Sequence, residues 1–148
     1  MLQNSGRIVA VALSTVALIA TAGCSTQGVH AKTAAATSHW PVDPIVQLRD
    51  KSHDFYTDAT PVLHRRGTGT KTFTLKSVPA GTTQITYYVS CSPSSHYQVT
   101  MGKNFDGPCA NVVQNSGGIP LASTGEVKVK IKLPAKTSFY IVGIPDSN

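Results

Sequence analysis

The chain has 148 residues and a net charge of +6, with 13 Lys or Arg residues against seven Asp or Glu. This length supplies one domain with a modest core and argues against two domains. The basic balance favours anionic partners over cationic ones.

The first 23 residues have the layout of a secretory signal peptide. A polar lead that carries Arg7 precedes an apolar run from Ile8 to Ala20. This run is shorter than the roughly 20 apolar residues that a membrane-spanning helix needs. We therefore expect residues 1–23 to direct export and to be removed.

Residues 21–24 close the apolar run with the sequence Thr-Ala-Gly-Cys. This tetrapeptide resembles the lipobox of bacterial lipoprotein signal peptides, with Thr21 at the position that is usually aliphatic. The resemblance implies that the Cys24 sulfur takes a diacylglyceryl group and that Cys24 becomes the first residue of the mature protein. A plain secretory signal, cleaved after the small residues at 20–22, is the alternative interpretation.

Residues 24–39 form a segment rich in Ser, Thr, Ala, Gly and Gln, whose one large apolar side chain is Val29. Such a segment buries too little apolar surface to offset the entropy lost on ordering. We therefore expect a flexible tether between the lipid and the folded domain. The chain from Cys24 onward has twelve Lys or Arg against seven Asp or Glu, a net charge of +5.

Residues 40–66 form an N-terminal segment that either packs on the folded domain or leads into it. Asp43 and Pro44 have the residue types of an N-cap and a first helical residue, which predicts a short helix. An extended segment along a sheet is an equal alternative. Trp40 is predicted to be a packing anchor rather than a ligand platform. A basic spot, His-Arg-Arg at 64–66, is expected just before the first strand.

Residues 67–148 alternate between apolar and polar side chains, which indicates strands with one buried face. Gly, Pro and Ser residues separate these strands as turns. We therefore predict an all-β fold, an antiparallel β-sandwich that is Ig-like or jelly-roll-like, with about six to eight short strands. The alternation predicts a buried Tyr97 and an exposed Tyr88. The alternating stretches are residues 72–76, 85–91, 96–101, 126–133 and 138–144.

Two cysteines, Cys91 and Cys109, remain once Cys24 is assigned to the lipid. An oxidising compartment favours a disulfide between them. This bond would staple the hairpin built around residues 97–101 and contribute on the order of 3 kcal/mol to stability. The absence of a Cys-x-x-Cys motif favours a structural role over a redox role.

Four features of residues 67–145 carry a family resemblance. They are Gly-Thr-Gly-Thr at 67–70, Cys-Ser at 91–92, a second cysteine at 109, and a closing strand that ends near Ile144. Together they resemble the small β-sandwich domain of bacterial lipoproteins of the high-GC Gram-positive type. The resemblance implies a protein on the outer face of the cell membrane, and it supplies no catalytic residues.

Lys128, Lys130 and Lys132 alternate with apolar residues, so a strand would place them on one face. Such a row would attract anionic lipid headgroups or anionic wall polymers. The simpler interpretation is a solvated strand face, or protection of an edge strand against pairing. Nucleic acid is not an expected partner, because the compartment is wrong and no aromatic residues interleave with the basic ones.

The functional expectation is a non-catalytic binding module for envelope components, anchored to the membrane through Cys24. The alternative is an accessory subunit that docks on a membrane or envelope protein through an exposed apolar strip. A hydrolase is the weakest alternative, because the five histidines are scattered, Glu126 is the one glutamate, and neither Gly-x-Ser-x-Gly nor His-Glu-x-x-His occurs. No metal or cofactor is expected.

Overall fold

Eight β-strands and one short helix make up the folded part of the protein. The structure is a computed structural model that describes residues 40–75, 77–122 and 125–147. The predicted signal peptide, the lipidation site at Cys24 and the predicted tether lie outside the described residues. The elements are α1 (Pro44–Leu48), β1 (Leu63–Thr68), β2 (Lys71–Leu75), β3 (Gln84–Ser92), β4 (Ser95–Met101), β5 (Lys103–Cys109), β6 (Ser116–Pro120), β7 (Val127–Lys132) and β8 (Ser138–Asp146).

The strands form two four-stranded antiparallel sheets. Sheet I has the order β1-β8-β3-β6, and sheet II has the order β2-β7-β4-β5. Strands β4 and β5 are the one consecutive pair that shares a sheet, and every other connection between described strands crosses from one sheet to the other. This order is that of a jelly roll. The predicted antiparallel β-sandwich is confirmed, with jelly-roll rather than Ig-like strand order.

The core lies between the two sheets and is built from alternate residues of the central strands. Tyr97 is 1% exposed, as the alternation predicted. Burying a large apolar side chain contributes roughly 1.5–3 kcal/mol, so this layer is the main source of stability. Its central members are Ile85, Tyr87, Val89, Tyr97, Val99, Met101, Val129, Ile131, Phe139 and Ile141.

Three strands, β1, β5 and β6, were not predicted from the alternation. The basic spot at 64–66 lies inside β1 rather than before the first strand, so segment 40–66 supplies the first strand of the sandwich. In β6, Gly117 leaves the space that the Phe105 ring of β5 occupies, and a Cβ there would clash with that ring. Glycine is therefore needed at this position for β5 and β6 to meet along one side of the sandwich.

A disulfide joins Cys91 and Cys109, with their Cα atoms 5.5 Å apart. Cys91 lies in β3 of sheet I, and Cys109 is the last residue of β5 in sheet II. The bond therefore links the two sheets and closes a loop that contains the β4–β5 hairpin. The predicted pairing is confirmed.

Residues 40–62 pack on the outer face of sheet I. Helix α1 begins as predicted, with the Asp43 carboxylate accepting a hydrogen bond from the Ile45 N–H at 3.1 Å. Leu48 of this helix contacts Val142 and Ile144 of β8 in a second, smaller apolar cluster. The helical alternative is therefore the correct one, and this layer covers the middle of the outer face of sheet I, around Val142 and Ile144.

The same layer corrects the expectation for Tyr88. This side chain is half-buried rather than exposed. Its ring lies edge-on to Phe55, with centroids 5.7 Å apart. Alternation within β3 shows that Tyr88 points away from the main core, but it does not reveal that residues 40–62 cover that side.

Candidate functional site

The outer face of sheet II carries polar side chains and faces solvent. We call this surface the open face. Its residues alternate with buried ones along all four strands, and the paired registers of β2, β7, β4 and β5 bring them side by side. The open face consists of Thr72, Thr74, His96, Gln98, Thr100, Asn104, Asp106, Pro108, Lys128, Lys130 and Lys132.

Lys128, Lys130 and Lys132 form a row along β7, which we call the lysine row. All three side chains are exposed, whereas Val129 and Ile131 between them are completely buried. Successive lysines are two residues apart, which is about 6.6 Å along a strand. The three ammonium groups therefore concentrate positive charge along one line.

The lysine row lies in the middle of sheet II rather than at its edge. Strand β7 is hydrogen-bonded to β2 on one side and to β4 on the other. Lysines protect a sheet against unwanted pairing only where a strand has a free edge. Edge protection is therefore the wrong interpretation of the row, and a solvated face or a binding face remains.

No carboxylate among the described residues lies within 4 Å of a lysine in this row. The described acid–base contacts of that kind are His64 with Asp43 and His96 with Asp106. Asp106 is the one acidic residue on the open face, so this face has a net charge of +2 with His96 neutral. The charge of the row is left uncompensated and available to an anionic partner.

Neutral hydrogen-bonding side chains flank the lysine row. Thr72 and Thr74 of β2 lie directly opposite Lys130 and Lys128. On the other side, Gln98 of β4 lies opposite Lys132. Side chains that face each other across paired strands have Cβ atoms about 4.5–5.5 Å apart and can contact one ligand together.

A cavity of about 500 Å³ opens at the Lys132 end of the row. His96 Nε2 lies 3.5 Å from Asp106 Oδ2 at its side. The Gln98 amide has no hydrogen-bond partner among the described residues. The volume falls within the roughly 300–1,000 Å³ of small-molecule sites. The lining residues are His96, Tyr97, Gln98, Asp106, Lys132, Leu133 and Pro134.

The second basic spot, at 64–66, has a different role from the lysine row. His64 Nε2 lies 2.8 Å from Asp43 Oδ2, and the Arg66 guanidinium lies 5.1 Å from the centre of the Trp40 ring. Trp40 also packs edge-on against Tyr140, with centroids 6.0 Å apart. These contacts hold the start of segment 40–62 on sheet I, which supports the prediction that Trp40 is a packing anchor, although 38% of the residue stays exposed.

The sequence predicted the lysine row but not the cavity beside it. Gln98 and Asp106 are eight positions apart in the chain and become neighbours only because β4 and β5 pair as a hairpin. The alternation of Asn104, Asp106 and Pro108 with Phe105 and Gly107 was the available signal. The Gly and Pro residues in that stretch made it resemble a turn rather than a strand.

Two further findings concern the described residues alone. They contain no group of three or more His, Cys, Asp or Glu side chains placed to hold a metal ion. Their helix is too short to cross a membrane.

Comparison of the chain with protein-family models, with curated proteins and with solved structures gives no match.

Proposed function

We propose that this protein is a lipid-anchored extracytoplasmic lipoprotein whose β-sandwich is a non-catalytic binding module for anionic polymers of the cell envelope. The lysine row carries the proposal, because its three exposed cations have no carboxylate partner within 4 Å among the described residues. A diacylglyceryl group on Cys24, with any further acyl chain, would hold the protein at the membrane surface. The disulfide between Cys91 and Cys109 supports an oxidising compartment.

The choice between a wall polymer and the lipid headgroups of the anchoring membrane concerns the side of the domain that carries the lysine row. Trp40, where the described chain begins, packs on Tyr140 of sheet I. The lysine row lies on the outer face of the other sheet. The start of the described chain and the lysine row therefore lie on opposite sheets. We choose a wall polymer as the ligand because the predicted flexible tether would let the open face turn away from the membrane.

The shape of the row suits a linear polyanion. Three cations in line, about 6.6 Å apart, present an extended track rather than a single point of contact. At physiological ionic strength the attraction extends over about 8–10 Å, which exceeds the spacing of about 6.6 Å between neighbouring lysines, so their attractions overlap along the row. Binding of this kind depends little on the identity of the repeating unit, and its affinity falls steeply as the salt concentration rises.

The test compares two variants of the full-length protein, purified in detergent, in binding to linear polyphosphate. The row variant carries Lys128→Gln, Lys130→Gln and Lys132→Gln. The scattered variant carries Lys51→Gln, Lys71→Gln and Lys103→Gln, which removes the same charge from exposed positions elsewhere. The row variant is expected to lose at least about tenfold in affinity, and the slope of log affinity against log salt should fall by about two.

The scattered variant is the control for net charge and is expected to lose less than about threefold in affinity. Equal losses in both variants would show that overall charge, rather than the row, attracts the polymer. Wild-type protein that binds vesicles with anionic headgroups but not polyphosphate would contradict the choice of polymer. Neutral phosphatidylcholine vesicles serve as the reference in that arm.

Docking as an accessory subunit is the second candidate, and one observation favours it. The large apolar side chains with the greatest exposure in the described chain are Trp40, Val46, Tyr56 and Val112. Three of them lie in segment 40–62, so a docking partner would contact the sheet I side. A cross-link from this segment to a membrane protein, with polyphosphate binding absent, would support docking instead.

A further inference from the structure

We infer that the cavity at the Lys132 end of the row binds an acidic saccharide unit, meaning a sugar whose hydroxyl groups neighbour a carboxylate or a phosphate. The inference rests on the proposed function and names the class of polymer that the module takes. It depends on an amide without a partner among the described residues, a carboxylate and apolar surface, which lie together in the cavity but not along the rest of the row.

The cavity adds hydrogen-bonding groups to the charge of the row. In the strand register Gln98 lies between Lys132 on one side and Asp106 on the other. An amide side chain offers two donor hydrogens and an acceptor oxygen, and the Gln98 amide has no partner among the described residues. This group is therefore placed to exchange hydrogen bonds with ligand hydroxyls next to the charge of Lys132.

Asp106 distinguishes a sugar polymer from a bare polyanion. A carboxylate on this face repels phosphate groups and would weaken the binding of a ligand that is charge alone. A sugar hydroxyl donates a hydrogen bond to a carboxylate, and such charge-assisted bonds are roughly twice as strong as neutral ones. The same Asp106 that disfavours polyphosphate thus favours a hydroxyl-rich ligand.

The apolar part of the lining suits the carbon face of a sugar ring. Pro134 is exposed and supplies most of the apolar surface of the cavity, whereas Leu133, which also lines it, is 5% exposed. Lys132 lies at the junction between the cavity and the row. The site therefore combines an apolar surface for a ring, polar groups for hydroxyls and a cation for the acidic substituent.

The test measures binding of the full-length protein to oligogalacturonate, to a phosphorylated dextran and to linear polyphosphate. Gln98→Ala is expected to lower affinity for an acidic saccharide by up to about tenfold, since the net contribution of one hydrogen bond between an amide and a ligand hydroxyl is on this scale. Affinity for polyphosphate should stay within about twofold. Gln114→Ala, which removes an exposed amide outside both the open face and the cavity, is the control and should change neither affinity.

The two saccharides distinguish the acidic group. A loss confined to oligogalacturonate identifies a carboxylate, and a loss confined to the phosphorylated dextran identifies a phosphate. A Gln98→Ala variant that leaves all three affinities unchanged, or that weakens polyphosphate binding equally, overturns the inference. If the row variant then still loses polyphosphate binding, the proposed function stands without it; if wild-type protein binds no polyanion, the proposed function fails.

Asp106→Ala gives a second test in which the two ligand classes move in opposite directions. Removing the carboxylate relieves repulsion, so affinity for polyphosphate should rise by about twofold. Affinity for the acidic saccharide should fall by about fivefold, because a charge-assisted hydrogen bond is lost. A rise for both ligands would mean that Asp106 acts only as a repelling charge, and it would overturn the inference.

Discussion

The outer faces of the two sheets differ in burial: one is covered by another part of the chain, and the other faces solvent. On sheet I, segment 40–62 covers Val142 and Ile144, which are 0% and 4% exposed. On sheet II, the corresponding face carries the lysine row and stays in solvent. The outer face of sheet I contributes to stability, because it buries apolar surface, and the outer face of sheet II stays exposed, where we propose that it binds a ligand.

The pattern of apolar residues along the strands reflects this difference in burial. Strand β8 is a nearly continuous apolar run, which is typical of a strand buried on both faces. Strand β7 alternates strictly between apolar residues and lysines, which is typical of a strand with one solvated face. Comparing the two patterns therefore indicates which sheet has a covering layer.

The largest expected effect concerns the proposed lipid anchor at Cys24. Cys24→Ser removes the sulfur that would carry the lipid, so nearly all of the protein should move from the membrane fraction to the soluble fraction of the native host. Fractionation and mass spectrometry of the native amino terminus measure this. An unmodified Cys24 in native membrane material would contradict the anchoring, although the folded domain would be unaffected.

The contrast between the two faces is tested by placing one charge on each. Val142→Asp buries a carboxylate under segment 40–62 and should destabilise the protein by about 4 kcal/mol or prevent folding. Lys130→Asp puts the same carboxylate on the open face and should leave the free energy of unfolding nearly unchanged. Denaturant unfolding of both variants measures this. Equal destabilisation would mean that the two faces are equally covered.

The smallest expected effect concerns the interior that both sheets share. The Tyr97 hydroxyl is buried without a hydrogen-bond partner among the described residues, and burial raises its pKa above the ordinary range. Tyr97→Phe removes an unsatisfied polar group and should raise the free energy of unfolding by about 1 kcal/mol. Tyr87→Phe, which deletes a hydroxyl that donates to Met101 Sδ, is the matched control and should not stabilise.

The sequence predicted the strands that contribute the most buried apolar side chains to the core. Strands β3, β4, β7 and β8 each have two neighbouring strands, and their apolar residues form most of the main core. The edge strand β2 was also predicted, because its residues alternate clearly. The three strands that were not predicted, β1, β5 and β6, are edges like β2, with one neighbour each. With fewer buried residues, and with Gly or Pro in β5 and β6, they lack a local signal, and tertiary packing alone makes them strands.

The candidate site likewise has one part that the sequence predicts and one part that it does not. The lysine row could be predicted because its three members belong to one strand, so local alternation places them together. The cavity could not, since it requires β4, β5 and the end of β7 to lie side by side. The position of β7 inside sheet II is equally non-local, and this is why edge protection was a reasonable but wrong interpretation of the row.

The measurement that bears most directly on the open face uses isolated envelopes of the native host. The Cys24→Ser chain, which lacks the lipid site, is sedimented with envelopes at low salt and at about 1 M salt, where the screening length falls to about 3 Å. We predict binding at low salt, release at high salt, and loss of binding in the added row variant but not in the scattered one. Retention at high salt, or equal binding by both variants, would contradict a charge-based binding face.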